Sequence, residues 1–195
     1  MVNYQENWFA FEIDSKRHIM DLTIKRSLKK SVCFQFHQMK DDSYKVFWNF
    51  GVHGNDFVSL LLEYAEVNKL DKKTPITEVW NSEEFAKFVK SYPKKIYSQN
   101  LNKKDMEIVN YFVNYEWKLP IAYGGGLDGH SYHVKIYGKK IIEFERWCHI
   151  TEDLKPLIPV TNLVIKIADL NPKNCYEVNS IGEKYLKPVD FEKGD

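Results

Sequence analysis

The feature of this sequence that most constrains the fold is an alternation of apolar and polar side chains on both sides of Gly138. Successive side chains of a β-strand point to opposite faces, so a period of two predicts strands with one packed face. The pair Gly138-Lys139 interrupts the pattern and allows a tight reversal of the chain. We therefore predict a β-hairpin in which residues 131–137 pair with residues 140–147.

The same pattern predicts a second hairpin earlier in the chain. Residues 32–36 and 44–50 alternate in this way, and the polar residues 40–43 between them favour a turn. Residues 8–13 also alternate and are predicted to form a strand. Residues 15–30 carry six basic side chains around an apolar stripe, which fits either an amphipathic helix or a strand followed by a turn.

Helical spacing of apolar residues, three and four apart, recurs in several segments. Asn81 or Ser82 can cap one of these helices, and Pro93 ends it. Residues 71–80 are expected to be irregular. The predicted helices cover residues 55–68, 82–92 and 103–117. A last helix, which Thr151 can cap, is expected to restart or bend at Pro159 and to continue over residues 160–170.

These elements predict the fold class and the extent of the domain. Separate strand and helix segments, without a repeating strand–helix alternation, favour an α+β arrangement. We expect a single α+β domain over residues 1–172, with an antiparallel sheet and helices packed mainly on one side. Residues 173–195 are expected to be a partly ordered C-terminal tail.

The best catalytic constellation follows a glycine-rich turn at residues 124–129. Asp128, His130 and His133 supply a carboxylate and two imidazoles, which are groups used for general acid–base catalysis or for metal binding. Residues three apart on an extended strand point to opposite faces, so the two histidines do not converge. Asp128 also precedes a glycine, as in common turns. The spacing therefore favours turn chemistry over catalysis, and we predict no metal site.

A set of candidate binding residues lies on the predicted hairpin. Glu143, Glu145 and Trp147 share one sheet face, where the carboxylates are either solvated or form an acidic patch for a partner. With Asp128 and Tyr132, they are the binding residues that we predict. Cys148 shares its parity with the apolar residues of the second strand, which favours a core position over a nucleophile facing His149.

Charge and cysteine content narrow the class of partner. The chain has 28 basic and 27 acidic residues. Nearly all the basic residues are lysines, whereas nucleic-acid readers depend on arginine, so a nucleic-acid partner is not expected. Three cysteines without a metal-binding spacing fit free thiols in a reducing compartment. No leader-like N-terminus and no apolar run of about 18 residues is found. We expect a cytoplasmic protein without a membrane partner.

The run LDGHSYHVKIYGKKIIEFERWCHI is followed by a proline-interrupted apolar helix. This segment resembles one found in small uncharacterised bacterial proteins, some of which are similar to immunity proteins that neutralise a cognate toxin by binding it. The resemblance covers residues 123–170 and is carried by the Asp-Gly turn and by tyrosine and tryptophan anchors. It implies a single α+β domain that binds a protein, and no catalytic residues carry over from it.

The functional expectation combines these points. We expect a non-enzymatic cytoplasmic bacterial protein-binding domain, of the toxin-immunity kind, with another protein such as a toxin domain as its partner and no cofactor. The alternative is a small hydrolase or metal-dependent enzyme that uses Asp128, His130 and His133. Nucleic-acid binding through the basic residues 15–30 is a third and least favoured reading.

Overall fold

The computed structural model describes residues 9, 11–26, 31–51, 55–70, 74–118, 130–147 and 154–168. Within these residues the chain forms a six-stranded antiparallel sheet and five helices. The strands lie in the order β4-β3-β2-β1-β5-β6. The predicted α+β class is confirmed. The strands are β1 (Arg17–Arg26), β2 (Val32–Gln38), β3 (Tyr44–Phe50), β4 (Tyr97–Asn100), β5 (His130–Tyr137) and β6 (Ile141–Trp147). The helices are α1 (Asn55–Val67), α2 (Ile76–Trp80), α3 (Glu83–Ser91), α4 (Lys103–Val113) and α5 (Leu157–Ile167).

Both predicted hairpins are confirmed. β5 pairs with β6 so that Val134 lies opposite Phe144, and β2 pairs with β3 so that Phe34 lies opposite Trp48. The alternation predicts the register because a slip of one residue would turn every apolar side chain of a strand to the wrong face.

The ambiguous basic segment forms β1, which lies between β2 and β5 near the middle of the sheet. The strand predicted over residues 8–13 is wrong, because residues 11–15 lie outside the sheet and Phe9 packs elsewhere. Sequence alternation also missed two short elements. They are β4, in a polar segment, and α2, in a stretch that was expected to be irregular.

The larger hydrophobic core lies on one face of the sheet. Alternate residues of the strands, such as Leu22, Phe34 and Val134, pack there against α4 and α5. Fully burying an aliphatic or aromatic side chain of this kind contributes about 1.5–3 kcal/mol. This face of the sheet is therefore closed by α4 and α5.

A second, smaller cluster contacts the other face of the sheet. It joins Phe9 and Cys33 to buried residues of α1 and α3. Cys33 points away from its neighbours Val32 and Phe34, which belong to the larger core. Phe9 lies close to Gly51, where a Cβ atom would come within 2.9 Å of the Phe9 ring. This cluster thus reaches the polar face through Phe9 and Cys33, which also line the cleft on that face.

Two further expectations concern regions at the limits of the described chain. The tail predicted over residues 173–195 lies outside the described residues. Among the helices that are described, none has the length and apolar content needed to cross a membrane.

Candidate functional site

An irregularity in β1 determines which side chains reach the polar face. The pairing of β1 with β2 shifts between His18 and Met20, so the strand contains a β-bulge there. Ile19 and Met20 are both buried in the core. A regular strand would place His18 on the same face as Met20. The bulge instead places His18 opposite His37 and on the polar face.

The polar face forms a cleft of about 390 Å³ over β1, β2, β5 and β6. Its floor is arranged in rows by the strand register, in which Thr23 lies opposite both Cys33 and His133, and Asp21 lies opposite both Gln35 and Lys135. Side chains directly opposite each other on neighbouring strands are close enough to interact. The lining residues are Phe9, His18, Asp21, Thr23, Lys25, Cys33, Gln35, His133, Lys135, Tyr137 and Glu143.

Asp21 holds two neighbouring side chains through its two carboxylate oxygens. His18 Nε2 lies 2.6 Å from Oδ1, and the Tyr137 hydroxyl donates to Oδ2 at 2.7 Å. Burial and this hydrogen bond to a carboxylate both raise the pKa of Tyr137 well above its ordinary value. The phenol therefore remains protonated and acts as a donor at neutral pH.

Glu143 makes a second shared contact on the edge strand β6. Its Oε1 lies 2.9 Å from His133 Nε2, and its Oε2 lies 3.2 Å from Lys135 Nζ. Partial burial alone would raise the pKa of Glu143, but the hydrogen bonds from Lys135 and His133 outweigh it and lower that pKa. The carboxylate is therefore ionised at neutral pH.

Glu145 makes the third shared contact. Its Oε1 lies 3.1 Å from Lys25 Nζ and accepts a hydrogen bond from the Ser131 hydroxyl at 2.9 Å. Each of the carboxylates Asp21, Glu143 and Glu145 thus links side chains from different positions of the sheet. Ion pairs and hydrogen bonds among these side chains therefore fix the arrangement of the polar face.

Aromatic rings stack at one end of the cleft. The His18 ring lies between the His37 ring, at 4.3 Å between centroids, and the Tyr137 ring, at 4.1 Å. Ser15 Oγ lies 2.9 Å from His37 Nδ1, and Gln35 Oε1 lies 3.4 Å from His37 Nε2. Burial, and then the proximity of His18, lowers the pKa of His37 to about 4. His37 is therefore neutral at pH 7, and because an amide oxygen can only accept, the tautomer with its hydrogen on Nε2 is the one that satisfies both contacts.

Cys33 is a poor nucleophile in this environment. Burial, and then the negative charge of Asp21, raises the pKa of the Cys33 thiol to about 12. Cysteine reacts as the thiolate, which is scarcely populated at neutral pH under these conditions. The thiol instead packs with the second hydrophobic cluster.

The structure brings some of the predicted site residues together and separates others. Of the catalytic candidates, His133 lies in the cleft. His130 is the first residue of β5, but its side chain is not among those described. Asp128 lies outside the described residues. Tyr132 is fully buried in the larger core and does not reach the cleft.

The other predicted binding residues lie on β6. Glu143 and Glu145 both contact side chains of the polar face. Trp147 lies on the same side of β6, opposite Ser131. Cys148 and His149 are outside the described residues.

Sequence reasoning missed the cleft residues that come from β1. His18, Asp21 and Lys25 lie in the segment that fits a helix as well as a strand, so no face could be assigned to them. The bulge adds a second difficulty, because counting by twos from Met20 places His18 in the core. The useful signal was the alternation of apolar Met20, Leu22 and Ile24 with polar Asp21 and Thr23, which marks a strand once the residues before Met20 are ignored.

Within the described residues, no three histidine, cysteine, aspartate or glutamate side chains are arranged to hold a metal ion. Comparison with protein-family models, curated proteins and solved structures finds no match to the chain.

Proposed function

We propose that this chain is a non-enzymatic protein-binding domain whose binding surface is the polar face of the sheet around the cleft. One observation carries the proposal. Asp21, Glu143 and Glu145 each hold two side chains of that face, so its charged groups have fixed positions before a partner arrives. Fixed charges reduce the entropy lost on binding and favour one complementary partner over others.

The reactive groups of the cleft support binding rather than covalent catalysis. The thiol of Cys33 and the phenol of Tyr137 both stay protonated, because their pKa values are raised. A side-chain nucleophile needs a lowered pKa or an adjacent base. The cleft is thus better equipped to present hydrogen bonds and charges than to attack a substrate.

We place this binding function in the bacterial cytoplasm, and we propose a toxin domain as the class of partner. The free thiol of Cys33 and the odd number of cysteines fit a reducing compartment. The immunity role is supported by the resemblance over residues 123–170, in which β5, β6 and α5 fall.

An affinity-capture experiment with paired charge reversals tests the binding function. Glu143→Lys reverses a half-exposed charge of the cleft, whereas Glu107→Lys reverses an exposed charge on α4. A genuine partner from the native host is retained by the wild-type protein and by Glu107→Lys, and lost by Glu143→Lys. If no protein is retained reproducibly, or if both variants retain it equally, the cleft is not the binding surface.

A second measurement tests the immunity role once a partner is captured. The partner is expressed in a heterologous bacterium with and without this chain, and growth is followed. We expect the partner to arrest growth, and we expect co-expression of wild-type protein but not Glu143→Lys to restore it. A partner that does not affect growth would leave a binding protein without an immunity role.

A hydrolase remains the second candidate, because two histidine–carboxylate pairs line one cleft. These are His18 with Asp21 and His133 with Glu143. A carboxylate can orient an imidazole for general acid–base catalysis. Purified protein should then hydrolyse a member of a nitrophenyl ester and phosphate panel, and His133→Gln should abolish that activity. Metal analysis of the same preparation tests the metal-dependent version.

A further inference from the structure

One hydrogen-bond donor at the floor of the cleft is not used within the described part of the chain. Gln35 lines the cleft, yet it is only 7% exposed. Its Oε1 accepts from His37 Nε2 at 3.4 Å, whereas its Nε2 contacts no hydrogen-bond acceptor among the described residues. This nitrogen is not sealed inside the protein, so a group in the cleft can reach it. Buried polar groups are nearly always paired, so the unused donor points to a ligand.

The strand register places an acceptor beside this donor. Asp21 lies directly opposite Gln35, and side chains at opposite positions of neighbouring strands start about 5 Å apart. Each Asp21 oxygen holds one contact, to His18 or to Tyr137. A carboxylate offers about four lone-pair positions, so Asp21 can accept a further hydrogen bond. The floor of the cleft therefore presents an amide donor and a carboxylate acceptor side by side.

A donor next to an acceptor is the complement of a primary carboxamide, which carries one carbonyl oxygen and one amino group. A carboxylate ligand could accept from Gln35, but its second oxygen would face the negative charge of Asp21. An ammonium or guanidinium group could donate to Asp21, but it has no acceptor for the Gln35 amide. The pair of residues therefore selects a neutral group that both accepts and donates.

The depth of Gln35 indicates how such a group arrives. The side chains of Lys135 and His18 are 32% and 29% exposed, so they stand closer to the surface than Gln35. A group that reaches Gln35 must project past them into the cleft. From this geometry we propose that the cleft receives an asparagine or glutamine side chain of the partner protein, whose oxygen accepts from Gln35 Nε2 and whose amino group donates to Asp21. The proposal rests on the protein-binding function and names the group that the partner inserts.

Three blocked amino acids test the proposal without knowledge of the partner. The probes are the N-acetyl, N-methylamide derivatives of glutamine, glutamate and norleucine, which share one backbone and differ in the side chain. Each is titrated at pH 7 into the full chain labelled with nitrogen-15, and weak binding is followed by NMR. We expect the glutamine probe to bind about fivefold more tightly than the norleucine probe, on the scale of one neutral hydrogen bond. The glutamate probe should bind no better than norleucine, and the side-chain amide signal of Gln35 should move with glutamine.

A pair of glutamine variants locates the site. Gln35→Met keeps the length of the side chain and removes its amide, so the preference for glutamine over norleucine should fall below about twofold. Gln99→Met makes the same change at an exposed position of β4 and should leave the preference unchanged. Circular dichroism checks that both variants are folded. If Gln35→Met does not fold, the order of the three probes and the Gln35 signal in the wild-type protein decide the question.

The outcomes distinguish this proposal from the binding function beneath it. Equal binding of the glutamine and norleucine probes, tighter binding of the glutamate probe, or a Gln35 signal that does not move overturns the carboxamide site. If the captured partner depends on Glu143 but binds Gln35→Met as well as wild type, the binding function stands and only the carboxamide proposal fails. If the captured partner depends on neither residue, both fail.

Discussion

His37 makes the stability of this fold sensitive to mildly acidic pH. The side chain is 3% exposed, and its pKa is lowered from an ordinary 6.5 to about 4. Because the folded pKa is lower than the unfolded one, the unfolded chain binds the proton first as the pH falls. The stabilisation is therefore present above pH 6.5 and is lost progressively between pH 6.5 and pH 4.

The magnitude follows from the displacement of the pKa. At about 1.4 kcal/mol per pKa unit, the change from 6.5 to about 4 sets an upper limit of about 3 kcal/mol. The ring stacks on His18, which lines a cleft that is open to solvent, and screening by that solvent reduces the effect, so we expect roughly 1–2 kcal/mol. Carboxylates such as Glu143, whose pKa is lowered in the folded state, add to the loss of stability at acid pH.

Urea unfolding from pH 7 to pH 4.5 measures this contribution when the wild-type protein is compared with His37→Gln. The variant loses stability at pH 7, by about 1 kcal/mol for a lost hydrogen bond. Its free energy of unfolding should nevertheless fall less steeply with acid than that of the wild type. Equal slopes for wild type and His37→Gln would refute the reasoning.

Three further predictions concern packing and capping, each measured by urea unfolding at pH 7. Phe34→Ala empties a fully buried position of the larger core and should cost about 3–5 kcal/mol; a loss below about 2 kcal/mol would mean that the core closes around the cavity. Asn102→Ala removes the side chain that caps α4 and should cost about 1 kcal/mol, against no change for Asn110→Ala within the exposed helix face. Gly51→Ala brings a Cβ to 2.9 Å from the Phe9 ring and should cost about 1–3 kcal/mol, a cost that Phe9→Leu should reduce.

The fold could be predicted from the sequence wherever one face of an element is buried and the other is not. In β5 this division is seen in burial, and in β2, which is buried on both faces, it is seen in the alternation of apolar and more polar side chains, so the period of two gives both the element and its register. The helix α3 adds a local signal, because the Ser82 side chain accepts a hydrogen bond from the Phe85 amide at the helix start. These are short-range interactions between residues that are close in sequence.

The site was less predictable because it depends on contacts between distant parts of the chain. Asp21 and Tyr137 are 116 residues apart, and Lys25 and Glu145 are 120 residues apart. No local pattern signals such pairs. Glu143 and Glu145 could be placed together from the sequence because the alternation along β6 puts both on one face of the strand. Their partners become identifiable only when β1 is placed beside β5.

The bulge in β1 shifts the alternation of side chains between the two faces by one residue. From Met20 onward, every second side chain faces the core. His18 and Arg17 face the sides opposite to those that the same count would give them, because Ile19 is an extra residue in the strand. Deletion of Ile19 would restore regular alternation with His18 still opposite His37, so the ring stack should survive at the cost of one buried apolar side chain. Insertion of a residue at the same point would move His18 along the strand and out of its position opposite His37. In this strand a change of length, more than a change of composition, decides which residues face the cleft.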